Sequence, residues 1–310
     1  EPNFLGSAAE VAEACDVVQL FVPDASALFE VIENMLPRLG ERHTILCNAT
    51  VGPVATRDAG RRVMATGAQF LDAPFTGSKN AAAKGDLVYY IGGDDDALAR
   101  VEPILKASSK AILKIGEIGD AAAIKIATNM LAAVEVQALA EALALSKRSG
   151  IAPETFVKAM ELHGTRSGLI DMKLPGMING DYEPHFTMQH MFKDVRLGIK
   201  MANALDLDIP TTSATAGVIY GAIDRGWTDL DYSALMKMYE TVAPPNEAAV
   251  EEAKEEKEEP ERVVENESAE EEQTAEEPLP EAESDNSEEV PAEQTKRGGL
   301  FGWLSSRERR

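Results

Sequence analysis

Lys125 and Asn129 stand four residues apart in the run GDAAAIKIATNMLAAVEVQALAEALALSKRSG, residues 119–150. In a helix that spacing puts both side chains on one face. A lysine on an otherwise apolar helix loses hydration, and desolvation lowers its pKa from about 10.4 toward the range of an acid–base catalyst. Such a group can give a proton to a carbonyl oxygen, or stabilise the oxyanion that forms when hydride adds to a carbonyl. Asn129, one turn on, can orient the lysine or bond the substrate. Upstream, Phe75-Thr76-Gly77-Ser78 offers hydroxyls and exposed backbone N–H groups, which suit a carboxylate. This constellation fits reduction of a small carbonyl acid, or the reverse oxidation. The plain alternative is a lysine that snorkels out of a core, beside an asparagine in local hydrogen bonds.

The helix carrying the pair is well marked. Gly119 and Asp120 predict a turn and N-cap, Lys147 and Arg148 suit the last turn, and Gly150 stops it. Its apolar residues run nearly all the way round, which predicts burial on most sides. Lys125, Asn129, Glu135, Gln137 and Glu141 interrupt it, which argues against a membrane span. Ahead of it, short apolar runs alternate with helical patterns. Residues 17–23, 44–48, 69–71, 87–91 and 111–115 read as buried strands, and 8–15, 27–36, 54–66 and 97–105 as helices. That alternation predicts a doubly wound α/β layer with a parallel sheet, whose ligands bind beyond the carboxyl ends of strands. Three loops hold that position: Val22-Pro23-Asp24, residues 49–53 and residues 72–78. Gly92-Gly93-Asp94 reads as a plain turn.

After residue 115 only helices follow, with the segment 169–182 broken by Pro175 and Gly180. The predicted organisation is therefore an α/β domain over 1–117, an all-helical domain over 118–242 and a disordered acidic tail over 243–310. From Val242 onward there are 22 acidic and 8 basic residues, which leaves −9 of the net charge of −23 on the longer remainder. That charge argues against nucleic acid and anionic membranes as partners. The tail cannot bury enough surface to fold, and it ends in a segment with Phe301 and Trp303 among basic residues, which reads equally as a short docking peptide, a weak membrane-touching one, or the plain end of a solubilising tail. Cys15 and Cys47 both read as buried thiols. With no secretory signal pattern, the expectation is a cytoplasmic protein. His185 and His190 lack metal-site spacing, so no metal is expected. A central helix this apolar in so small a domain predicts a homo-oligomer.

Several motifs in order resemble the β-hydroxyacid dehydrogenase family, which includes 3-hydroxyisobutyrate dehydrogenase, tartronate semialdehyde reductase and the glyoxylate/succinic semialdehyde reductases. FLDAPFTGS (70–78) resembles its substrate loop, GEIGDAAAIKIATNML (116–131) its catalytic-lysine motif, and FTMQHMFKD (186–194) a later motif whose lysine approaches the cofactor. VPD (22–24) and NATVGP (48–53) resemble loops on the nicotinamide side. The resemblance implies NAD or NADP as cofactor and a small carboxylate-bearing substrate. It places acid–base catalysis on Lys125, substrate binding on Thr76, Gly77, Ser78 and Asn129, and cofactor binding on Val22, Pro23, Thr50 and Lys193. Two departures stand out. Thr76 and Ser78 replace the more usual Ser and Gly, and the strand, G-x-G-x-x-G turn and helix that open the family are not in these residues. The expectation is an N-terminally truncated family member. The competing expectation is a catalytically inactive fragment that binds partners through its helical domain and tail.

Overall fold

The computed structural model describes residues 4–240; the expected acidic tail and its Phe301–Trp303 segment lie outside them. Strands β1 (Val17–Leu20), β2 (Thr44–Cys47) and β3 (Gln69–Asp72) pair in parallel, in that order. Every residue of β2 is buried. Ile45 and Cys47 pack in one core with α1 (Ala8–Ala14), α2 (Ala25–Met35) and α3 (Pro53–Met64), while Leu46 packs in another on the opposite face with α5 (Asp95–Lys106). A strand covered on both faces reads as a nearly continuous apolar run, which is why only Thr44, the first residue of TILC, is polar.

The sheet is α/β as expected, and its second half runs the other way. β5 (Leu87–Gly93) pairs antiparallel with β3 and with the short β4 (Phe75–Thr76), and parallel with β6 (Ser109–Gly116). Gly92 and Gly93 are the last residues of β5, not a turn. A Cβ on Gly92 would collide with the carbonyl oxygen of Glu117, so glycine lets the link from β6 cross closely over β5. Between β4 and β5 lies a helix the sequence reading left out, α4 (Lys79–Lys84), capped by Ser78. Cys15 is exposed rather than buried, because it caps the end of α1; Cys47 is buried.

The helix α6 (Asp120–Arg148) joins two cores. Ala121, Ala122 and Ile126 are buried near the sheet. Ala133, Val136, Leu139, Ala140 and Leu143 form the axis of a helical core with α8 (Gly168–Asn179), α9 (Met188–Asn203), α10 (Pro210–Asp224) and the 3-10 turn Tyr232–Met236. Between α6 and α8 runs α7 (Pro153–Leu162), and α11 (Lys237–Glu240) closes the described chain. By length and composition α6 would pass for a membrane span, and about a third of its most apolar window is buried inside the protein. It is not buried all round. Ile124, Leu131 and Leu145 are exposed at helical spacing and leave an apolar stripe. Pro175 does not break its segment either: α8 runs through it and stops at Gly180, which takes the left-handed conformation.

Candidate active site

The sheet edge and α6 are tied together by one carboxylate. Gly119 is the N-cap of α6 and has no side chain to cap with. Asp72, the last residue of β3, does so instead: its Oδ2 accepts from Gly119 N and Ala122 N, both at 2.9 Å. Burial pushes the Asp72 carboxyl up to about 6, even against the two N–H groups that favour its charge. The same residue therefore ends β3, opens the 73–78 loop and holds the helix that carries Lys125.

Beyond the carboxyl ends of β1, β2 and β3 lies a cavity of about 390 Å³. Val22, Pro23 and Thr50 line it from the loops after β1 and β2, Gly77 and Ser78 from the loop before α4, Lys125 and Asn129 from α6, and Lys193 from α9. Eight of the nine residues expected at the site are thus brought together. Thr76 is the one that is not. It lies in β4 opposite Val88, and strand alternation turns its neighbour Phe75 into the cavity instead. Gly77 has φ +136°, and a Cβ there would stand 2.8 Å from Leu87 Cδ2, so the loop requires glycine. The Ser78 hydroxyl accepts from Ala81 N at 3.2 Å, which leaves its proton to donate.

The Lys125 ammonium has no hydrogen-bond or ion-pair partner among the described residues. Burial pulls it down from 10.5 to about 8; Asp194 opposes that fall and Lys193 adds to it. Asn129 donates through Nδ2 to Asp194 Oδ2 at 2.6 Å. Asp194 is itself buried, and its Oδ1 lies 3.2 Å from Lys193 Nζ. Lys193 also donates to Thr50 O at 2.7 Å and Pro23 O at 3.1 Å, so α9 clasps the two loops after β1 and β2.

Asp194, Phe75, Lys79, His185, Phe186 and His190 also line the cavity. The sequence reading places Phe75 in the substrate loop, considers His185 and His190 only as metal ligands, and misses Lys79, Phe186 and Asp194 as site residues. Asp194 follows Lys193 directly in FTMQHMFKD, and a carboxylate beside a site lysine is a signal that could have found it. The His185–Phe186 wall is held from below. Asp231 Oδ2 accepts from His185 N at 3.0 Å and Phe186 N at 3.1 Å, while both oxygens meet Lys173 Nζ at 2.8 Å. Burial alone would raise the Asp231 carboxyl, but the Lys173 ammonium and backbone N–H groups hold it below its usual value.

Comparison with known proteins bears on this geometry. The model for the NAD-binding domain of 6-phosphogluconate dehydrogenase matches residues 3–116, and that for the NAD-binding of NADP-dependent 3-hydroxyisobutyrate dehydrogenase matches 119–239. 2-Hydroxy-3-oxopropionate reductase of Escherichia coli (strain K12) is 29% identical over 240 residues, which cover 76% of this chain and 82% of that protein. The chain belongs to the β-hydroxyacid dehydrogenase family. Glyoxylate/succinic semialdehyde reductase 2 of Arabidopsis thaliana, a chloroplastic protein, is a second relative in this family, 26% identical over 76% of this chain and 66% of its own length. Among solved structures, 3-hydroxyisobutyrate dehydrogenase from Salmonella typhimurium superposes with a TM-score of 0.70 at 25% identity, covering 75% of this chain and 82% of its own. The β-hydroxyacid dehydrogenase family works with NAD or NADP. The residues beside the cavity fit the nicotinamide end of such a cofactor, since Val22, Pro23 and Thr50 face it from the strand edge and Lys193 fixes two of their carbonyls.

Proposed function

We propose that this chain interconverts a small β-hydroxyacid and its carbonyl form, with Lys125 as the group that gives and takes the proton. The cofactor, held by Val22, Pro23 and Thr50, supplies or accepts hydride when bound. In reduction, Lys125 in its ammonium form donates a proton to the carbonyl oxygen as the alkoxide develops; in oxidation the neutral amine removes the hydroxyl proton. Asn129, tethered to Asp194, presents its free Oδ1 beside the lysine, so the pair keeps one orientation. The Ser78 hydroxyl and the Gly77 backbone address the substrate carboxylate. Phe75 and Phe186 keep water from that side of the cavity.

The observation that carries this reading is the lone Lys125 ammonium in the cavity, pulled down to about 8. A purely structural lysine at that depth would be matched by an ion-pair partner. The test is hydride transfer followed through the absorbance of NADPH and NADH. Replacing Lys125 by Met should lower the rate at least about a hundredfold, the low end for removing an acid–base group. A rate near that of the wild type in this variant would overturn the assignment.

A further inference from the structure

We infer that Lys79 is the counter-ion of the substrate carboxylate and sets the preference of this cavity for carbonyl compounds that carry a carboxylate. The inference rests on the reading of Lys125 as the proton donor. A carboxylate taken from water into a cavity needs a charged partner, and the cavity has three ammonium groups against the one carboxylate of Asp194.

Two of the three are committed. A lysine ammonium has three protons to donate. Lys193 donates two of them, to Pro23 O and Thr50 O, and its charge is matched by the Asp194 carboxylate, whose Oδ1 lies 3.2 Å away. Lys125 changes charge during the reaction. If it were also the counter-ion, each proton transfer would leave the carboxylate unpaired. Lys79 has no hydrogen bond or ion pair among the described residues, lines the same cavity, and follows Ser78 directly. Its place in the fold also argues for a ligand. It is the first residue of α4, where a cation opposes the helix dipole and where no acidic residue offsets it. The position is exposed.

The test compares wild type, Lys79→Met and Lys79→Arg with malonate semialdehyde, its longer homologue succinate semialdehyde, and butyraldehyde as an uncharged aldehyde. Since Lys79 is exposed, the variants keep the fold. Lys79→Met should raise KM for the two acids severalfold, up to about fivefold for an exposed pair, with kcat nearly unchanged, because the lost interaction is made equally in ground and transition states. KM for butyraldehyde should not move, and Lys79→Arg should retain most of the acid preference. A calorimetric titration with the β-hydroxyacid 3-hydroxypropionate in the absence of cofactor should show the same loss of affinity in Lys79→Met. This arm needs no turnover, so it reads Lys79 separately from Lys125, whose replacement removes the rate for acids and butyraldehyde alike. Equal KM changes for charged and uncharged aldehydes, unchanged affinity for 3-hydroxypropionate, or no measurable binding of it to the wild type would each overturn the inference.

Discussion

Replacing Lys125 by Met should make the protein more stable while it slows the reaction. Burial lowers the Lys125 ammonium from 10.5 to about 8. At 1.36 kcal/mol per pH unit, that gap means the folded chain holds this charge at a cost of about 3 kcal/mol. The figure is an upper bound, because the residue keeps part of its exposure. The sign follows from proton counting. Below pH 8 the lysine is charged in both states, so the native protein bears the whole cost. Between about 8 and 10.5 the unfolded chain holds a proton that the native chain has released, so wild-type stability rises with pH. Methionine has a similar length and no charge, so its advantage is greatest near neutrality and shrinks as pH approaches 10.5. The assay is urea unfolding of wild type and variant at pH 7 and near pH 10. At pH 7 the variant should gain up to about 3 kcal/mol, or roughly 6–12 °C in Tm for a folded region of this size. By about pH 10 most of that gain should be gone. A variant no more stable than wild type at pH 7, or a gain equal at both pH values, would refute the buried-charge argument.

Two further outcomes are expected. Asp194→Asn removes the carboxylate that holds the Lys125 pKa up against burial, so the fall of reduction rate with rising pH should move down by about one pH unit, read from a pH–rate profile; an unmoved profile would separate Asp194 from Lys125. The exposed stripe of Ile124, Leu131 and Leu145 on α6 should be covered by a second copy, so light scattering should give at least a dimer mass, and Leu131→Glu should reduce it toward the monomer.

The α/β class and the grouping of the site were legible because both follow from local pattern. TILC and LVYYI read as buried strands at sight, and i,i+4 spacing alone aligned Lys125 with Asn129. The direction of β5 was not legible, since an apolar strand reads the same either way and only its pairing with Leu71 and Asp72 decides. Nor was α4, whose single short run of KNAAAK follows a turn-like TGS. The tertiary contacts were out of reach for a different reason. Asp72 caps a helix that begins 48 residues later, and Lys173 meets Asp231 across 58 residues, so no spacing rule links them. Thr76 was misplaced because its hydroxyl suited the chemistry while the strand register, unseen in sequence, gave the cavity to Phe75.

The measurement closest to the central claim is the pH dependence of the reaction run in both directions with the wild-type protein. One lysine acting as acid in reduction and base in oxidation must give two limbs governed by the same group. Reduction should fall, and oxidation rise, as pH passes through about 8. Limbs centred near 10.5, or limbs at different pH values in the two directions with free substrate and cofactor, would contradict the assignment of the proton to Lys125.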